Sequence, residues 1–163
     1  MASRTRTLMV VLALGGLLAA GASTYVHLQM LTDPGYLSFC DINTRISCSD
    51  VYQSRYGSVA GVPVALGGTI WFIGVLLLVF AATTAPQESR TNVGGYLIVW
   101  STVGLAIAMY MAYASFVVLQ TVCLLCVAVY IAVIGIFLLA GSVPAIPLMK
   151  VPLAVVGDFG RLL

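Results

Sequence analysis

Two cysteines, Cys123 and Cys126, lie three residues apart in the apolar segment 120–130, which reads QTVCLLCVAVY. Residues at this spacing share one face of a helix, so the two thiols are close enough to form a disulfide or to exchange one with a second thiol pair. The segment also begins a predicted helix, and the free N–H groups and dipole of a helix N-terminus favour the thiolate, the reactive form of cysteine. This pattern indicates a redox-active dithiol.

The other two of the chain's four cysteines, Cys40 and Cys48, lie in the more polar segment FCDINTRISC. Thiol–disulfide exchange moves electrons by successive attack of a thiolate on a disulfide, so a relay needs two cysteine pairs within reach of each other. Two pairs with no cysteine left over favour such a relay. Two other interpretations stay open: a Cys40–Cys48 disulfide that only staples a loop, and a CxxC pair that serves as two small apolar residues in a packed helix.

Metal and haem chemistry fit these cysteines less well. Haem attachment by CxxC needs a histidine directly after the second cysteine, and Val127 stands there. Zinc needs more ligands than the CxxC pair supplies, and the single histidine, His27, ends a different predicted helix. We therefore interpret His27 as an interfacial residue and expect no metal site.

Tyr130 follows Cys126 by four residues and so lies on the same helical face, one turn deeper. Its phenol can hydrogen-bond a carbonyl oxygen. A thiol pair with a phenol beneath it, facing an apolar helix bundle, is what reduction of a lipid-soluble electron acceptor would need. Tyr130 is therefore a candidate cofactor-binding residue.

The composition places this chemistry in a membrane protein. Of the 163 residues, 61% are hydrophobic and only 7% are charged, whereas a soluble domain carries roughly 25% charged residues. The net charge of +2 is too small, and basic runs are too few, to indicate a nucleic-acid partner. The length suits one compact domain, residues 1–163.

Four apolar runs are each long enough for the roughly 20 residues with which a helix crosses a bilayer: 8–30, 64–83, 96–119 and 122–141. The run 8–30 also resembles a signal peptide, but it continues past the small residues AAGAS, so we expect a retained helix. The predicted connections are a polar loop over 31–63 and a polar turn over 85–93. A proline-interrupted tail follows over 142–163.

Within the loop, the segment SDVYQSRYG predicts a short helix on the membrane surface. Ser49 is its expected N-cap and Gly57 its expected C-cap. Tyr52 and Tyr56 are four residues apart, so we expect both rings on one face at the lipid–water interface.

The positive-inside rule predicts the orientation. With the N-terminus in the cytoplasm, two basic residues lie outside, Arg45 and Arg55, and five lie inside: Arg4, Arg6, Arg90, Lys150 and Arg161. The loop 31–63 and the CxxC turn then share the outer face, so all four cysteines meet in an oxidising compartment.

The segments FCDINTRISCSDVYQSRYG and MYMAYASFVVLQTVCLLCVAVY carry a resemblance that covers nearly the whole chain. With its four-cysteine pattern and Tyr130 behind the second CxxC cysteine, the sequence resembles the vitamin K epoxide reductase family, including bacterial homologues that oxidise disulfide-forming partners. The resemblance implies an all-α membrane protein: a four-transmembrane-helix bundle around a quinone, with an outer loop containing a short interfacial half-helix.

The resemblance also implies residue roles. Cys126 adjoins the quinone, and Cys123 exchanges with the loop. Cys48 is the inner shuttle cysteine, and Cys40 is the outer one, which meets a reduced protein partner. Two further positions match the family, Asp41 directly after Cys40 and Ser54 at the half-helix; either could instead be an ordinary solvated loop residue.

One part of the family pattern is missing. Vertebrate members use an Asn near the start of the second helix to hydrogen-bond the quinone or epoxide, whereas this region reads VPVALGGTIWF. The stretch GVPVALGG looks more like the bacterial branch, many members of which continue into a thioredoxin-like domain. The sequence stops at Leu163, so we expect the thioredoxin-like partner to be a separate protein or a domain that has been removed.

The predicted function is that of a thiol oxidoreductase in the cell inner membrane. It would pass electrons from a periplasmic or extracellular thioredoxin-like protein through both cysteine pairs to a quinone, either ubiquinone or a menaquinone or vitamin K type. The alternatives are a vitamin K quinone or epoxide reductase of the endoplasmic-reticulum membrane and a non-enzymatic membrane scaffold with structural disulfides.

Overall fold

A computed structural model describes residues 3–143 except 34, 37, 44, 85 and 86, and it describes residues 87–91 by their backbone alone. The greater part of the predicted tail, with Lys150 and Arg161, lies outside the described residues.

Four long helices dominate the described part of the chain. Three helical segments are long and apolar enough to cross a membrane: α1 (Ser3–Thr32), α3 (Val64–Thr84) and the part Asn92–Leu119 of the next helix. That helix consists of α4 (Gln87–Tyr113) and a π-helical segment, Ala114–Leu119, which continues it directly. The shorter apolar helix α5 (Leu124–Ala140) is about 25 Å long. This arrangement confirms the predicted helical membrane bundle.

The helices pack in a ring, because α1 contacts α3 and α5, while α4 contacts the other sides of both. Small residues permit the closest approaches. A side chain at Gly104 would overlap the Trp71 ring, and one at Gly74 would come within 2.9 Å of the Trp100 ring. Each indole donates a hydrogen bond to the other residue's carbonyl oxygen, at 3.1 and 3.2 Å, which ties α3 to α4.

The predicted polar turn over 85–93 is wrong, because α4 already begins at Gln87. The segment contains Gln, Glu and Arg, which are good helix formers. Its polarity therefore reflects a helix end that extends beyond the apolar span and not a loop.

The outer loop contains the short helix α2 (Cys48–Gln53) and a hairpin of β1 (Ser58–Val59) and β2 (Val62–Pro63). Ala60 and Gly61 connect the two strands with positive φ angles of 51° and 79°, the backbone of a tight two-residue hairpin turn.

The predicted caps of the half-helix are wrong. Ser47, not Ser49, is the N-cap: its backbone is extended, and its side chain accepts a hydrogen bond from the Asp50 N–H. The helix ends at Gln53, four residues before Gly57. Tyr56 therefore lies outside it, so the two tyrosines do not share an interfacial face.

Candidate active site

The loop cysteines form a disulfide in a buried position. Cys40 and Cys48 are bonded with their Cα atoms 5.8 Å apart, and their exposed fractions are 4% and 0%. The Ser38 hydroxyl lies 3.0 Å from the Cys40 sulfur. Cys48 is the first residue of α2, so the Ser47 cap fixes where this sulfur lies.

A short backbone ladder holds the loop against the turn that precedes α5. Val122 donates to the Arg45 carbonyl oxygen at 2.8 Å, and Ser47 donates to the Val122 carbonyl oxygen at 3.2 Å. Ile46 and Val122 thereby form an isolated parallel bridge. The two residues that follow these contacts in sequence are Cys48 and Cys123, so the ladder brings the two cysteine pairs together.

Cys123 is the N-cap of α5 and not part of the helix, which begins two residues later than the predicted 122. Its sulfur accepts a hydrogen bond from the Cys126 N–H at 3.3 Å. It also lies 3.2 Å from the Cys48 sulfur of the loop disulfide. Cys123 and Cys126 are both free thiols. A reduced dithiol thus contacts a disulfide, the arrangement from which thiol–disulfide exchange proceeds.

The surroundings of Cys123 favour its ionised form. The Cys126 side chain stabilises the Cys123 thiolate most, followed by the Tyr52 hydroxyl and the N–H groups of Cys126 and Leu125. Together they outweigh the opposing effect of burial and lower the pKa of Cys123 to about 7. A large fraction of this thiol is therefore thiolate at neutral pH, as expected for a cysteine at a helix N-terminus.

Tyr52 belongs to the site although its sequence position indicated only an interfacial ring. It is 5% exposed, and its hydroxyl lies 3.4 Å from the Cys123 sulfur. Burial, and then the nearby Cys126 and Cys123 thiols, raise the pKa of Tyr52 far above its usual range. The phenol therefore keeps its proton and acts as a hydrogen-bond donor.

The interpretation of His27 as an interfacial residue is wrong. His27 lies within α1 and is only 3% exposed, because α2 folds over this part of the helix. Its ring stacks on Tyr52 with centroids 5.4 Å apart and planes at 18°. Among the described residues, neither His27 Nδ1 nor the buried Ser23 Oγ, one turn earlier, has a hydrogen-bond partner.

A cavity of about 570 Å³ lies inside the bundle next to the dithiol, within the roughly 300–1,000 Å³ of small-molecule sites. Its walls come from all four long helices and are mostly apolar. Five lining residues bear directly on chemistry or shape: Cys126, Tyr130, Tyr52, Trp71 and Trp100. Cys126 and Tyr130 thus line the same apolar cavity.

Asp41 and Ser54 do not line this cavity. The exposed Asp41 carboxylate accepts hydrogen bonds from the Ser49 N–H and hydroxyl. Desolvation pushes the pKa of Asp41 upward, but the Ser49 hydrogen bonds outweigh it and leave this pKa below its usual range. Ser54 caps the end of α2, where its hydroxyl donates to the Val51 carbonyl oxygen at 2.7 Å. Both residues shape the loop around the cysteines.

Within the described residues, no group of three or more His, Cys, Asp or Glu side chains is arranged to hold a metal ion.

Comparison with known proteins shows the family of this chain. The family model described as "Vitamin K epoxide reductase family" matches residues 7–140. The chain is 28% identical to the mouse protein "Vitamin K epoxide reductase complex subunit 1" over 136 residues, which are 79% of this chain and 84% of that protein. It is also 28% identical to the rat protein of the same name over 140 residues, 82% of this chain and 86% of that one. The chain belongs to the vitamin K epoxide reductase family.

Proposed function

We propose that this protein is a quinone-dependent thiol–disulfide oxidoreductase. It takes electrons from the dithiol of a thioredoxin-like protein and passes them through Cys40 and Cys48 to Cys123 and Cys126, and then to a quinone. The net product is a disulfide in exported proteins. The observation that carries the proposal is the 3.2 Å contact between the Cys48 sulfur of the loop disulfide and the Cys123 thiol.

Electron transfer begins with both cysteine pairs oxidised. A partner thiolate attacks Cys40, and Cys48 leaves as a thiolate. Cys48 attacks Cys123, and Cys126 leaves with the electron pair. The second partner thiol attacks the sulfur of its own mixed disulfide, so the partner leaves oxidised and Cys40 is released. Cys40 then attacks Cys48 and releases Cys123. The result is a Cys40–Cys48 disulfide beside two free thiols, which is the arrangement of the structure.

The cavity fits a quinone as the final acceptor. An apolar volume of about 570 Å³ suits a hydrophobic ring, Cys126 borders it, and the Tyr130 hydroxyl can donate to a carbonyl oxygen. A quinone held there would supply an acceptor of two electrons and two protons. Cys123 and Cys126 form a disulfide as they supply those electrons. Ubiquinone and menaquinone or vitamin K types share this chemistry.

The proposed location is the cell inner membrane, with the N-terminus in the cytoplasm and the cysteines outside. In support, Arg4 and Arg6 lie at the start of α1, whereas Val26 and Met30 near its other end pack against the cysteine cluster. We also propose that residues 1–163 form one domain and that the partner is a periplasmic or extracellular thioredoxin-like protein.

Similarity to the mouse and rat proteins supports a second candidate function, that of a vitamin K quinone or epoxide reductase of the endoplasmic-reticulum membrane. The two candidates share the cysteine relay and differ in acceptor. A non-enzymatic scaffold is less well supported, because a structural role does not require two free thiols beside a buried disulfide.

The test is quinone reduction by the purified protein, followed by absorbance, with a reduced thioredoxin-like protein as donor. We expect turnover with ubiquinone or menaquinone and none in the Cys126→Ala variant. A parallel reaction with vitamin K epoxide distinguishes the second candidate. If no quinone and no epoxide is reduced, the enzyme proposal is contradicted and the scaffold remains.

A further inference from the structure

Tyr52 reaches the cysteine relay from the same short helix that carries Cys48. The two residues are four apart, and therefore lie on one face of α2. This face directs two groups at the Cys123 sulfur: the Cys48 sulfur at 3.2 Å and the Tyr52 hydroxyl at 3.4 Å. The helix thus supplies both the exchange partner of Cys123 and a hydrogen-bond donor to it.

We infer that Tyr52 is a positioning residue for the relay: its hydroxyl hydrogen-bonds to the Cys123 sulfur and makes Cys123 the favoured leaving group when a Cys48–Cys123 disulfide is resolved. This inference rests on the proposed function, in which that disulfide is an intermediate. It assigns to the loop helix a chemical task besides carrying Cys48.

The ring is held in place for this task. It stacks on His27 at a centroid distance of 5.4 Å and lies in a buried cluster with Val26, Val51 and the cysteines. Because burial keeps the phenol protonated by raising the pKa of Tyr52, the hydroxyl donates to the sulfur. The other donors to Cys123 belong to α5, so Tyr52 is the donor that arrives with the loop.

The step itself is an isomerisation of one disulfide. The Cys40 thiolate attacks the Cys48 sulfur, the bond between Cys48 and Cys123 breaks, and a bond between Cys40 and Cys48 forms. The electron pair of the broken bond goes to Cys123, which leaves as a thiolate. No oxidant or reductant is consumed. Thiols that are better stabilised as thiolates leave faster, so the Tyr52 hydrogen bond accelerates this step and shifts its equilibrium toward the Cys40–Cys48 disulfide.

The test uses the full chain with the Cys126→Ser substitution, which leaves one disulfide shared among three cysteines and keeps a donor at position 126. The protein is equilibrated in detergent, quenched with acid, alkylated and digested. Non-reducing mass spectrometry then gives the ratio of Cys40–Cys48 to Cys48–Cys123 disulfide.

Because Cys123 ionises near pH 7, below the ordinary cysteine pKa of about 8.5, the isomer that leaves Cys123 free gains population as the pH rises from about 7 to about 8.5. Adding Tyr52→Phe keeps the ring and its stacking on His27 but removes the donor. We expect this change to lower the ratio about five- to tenfold between pH 8 and 9, as loss of one hydrogen bond to a thiolate shifts its ionisation by about one pH unit.

The matched control is Tyr56→Phe, since the Tyr56 hydroxyl pairs with Arg55 and not with a cysteine. An equal ratio with Tyr52 and with Phe at position 52, or an equal fall in the control, would overturn the inference. If the Tyr52→Phe protein does not fold, the pH series of the parent tests the premise of the inference: a ratio independent of pH contradicts a stabilised Cys123 thiolate and so overturns the inference. The ratio assay contains no quinone and no partner protein. If the ratio changes as expected but the wild-type protein reduces no quinone, the proposed function is contradicted and the inference about Tyr52 is not.

Discussion

Replacing Tyr130 by Phe tests whether the cavity beside the dithiol binds the quinone. Tyr130 lines the cavity, one turn below Cys126. No described residue forms a hydrogen bond with the Tyr130 hydroxyl. The substitution therefore removes no hydrogen bond between described residues. It removes only a donor that a quinone carbonyl could use.

Losing one neutral hydrogen bond costs about 0.5–1.5 kcal/mol, and about 1.4 kcal/mol corresponds to a factor of ten in affinity. We therefore expect the KM for quinone to rise about two- to thirteenfold, with the thermal stability unchanged. The assay is quinone reduction at saturating reduced donor, followed by absorbance over a range of quinone concentrations. Varying the donor at saturating quinone should give an unchanged KM for the donor.

The matched control is Tyr25→Phe, because Tyr25 is an exposed tyrosine of α1 whose hydroxyl accepts a hydrogen bond from Gln29. It should leave the KM for quinone unchanged. An unchanged KM in Tyr130→Phe, or an equal rise in both variants, would show that the Tyr130 hydroxyl does not bind the acceptor.

Three further predictions follow from packing, ionisation and orientation. Gly104→Ala would push a methyl group into the Trp71 ring and should lower the free energy of unfolding by about 1–3 kcal/mol. Gly67→Ala is the control, because there is open space where its methyl group would lie, and it should not lower this free energy. Equal thermal stability of the two variants would contradict the tight packing at Gly104. The rate at which Cys123 reacts with a small thiolate-specific reagent should rise with pH to half its maximum near pH 7, since its pKa is about 7, and a half-maximum at the ordinary value of about 8.5 would contradict thiolate stabilisation. After reduction, a membrane-impermeant thiol reagent should label the cysteines of right-side-out vesicles only, and labelling of Cys123 in inside-out vesicles would reverse the proposed orientation.

The helices could be predicted because a backbone in lipid must form all of its hydrogen bonds internally. Apolar runs of about 20 residues must satisfy their own hydrogen bonds, and these runs became α1, α3, α4 and α5. Polar residues at helix ends lie outside the lipid, so their backbone can also hydrogen-bond to water. The segment from Gln87 was therefore predicted as a turn although its backbone is helical.

Local pattern identified the cysteines but not their surroundings. The CxxC spacing indicated a dithiol at a helix start, and the structure has Cys123 as the N-cap of α5. Tyr52 and His27 could not be assigned, because their contact depends on how α2 folds over α1. The sequence pattern predicted Ser49 as the N-cap of the half-helix, whereas the cap is Ser47. Ser47 also donates to the Val122 carbonyl oxygen, a contact that no local pattern reveals.

The most direct test of the account is which loop cysteine can bond to Cys123. A variant with Cys40→Ala and Cys126→Ala keeps only Cys48 and Cys123, whose sulfurs are 3.2 Å apart in the structure. A second variant, with Cys48→Ala and Cys126→Ala, keeps only Cys40 and Cys123. Both are equilibrated in the same glutathione buffer, and the disulfides are mapped by non-reducing mass spectrometry. We predict a Cys48–Cys123 disulfide in the first variant and two free or glutathione-bound cysteines in the second. A Cys40–Cys123 disulfide in the second variant, with none in the first, would contradict the proposed electron path.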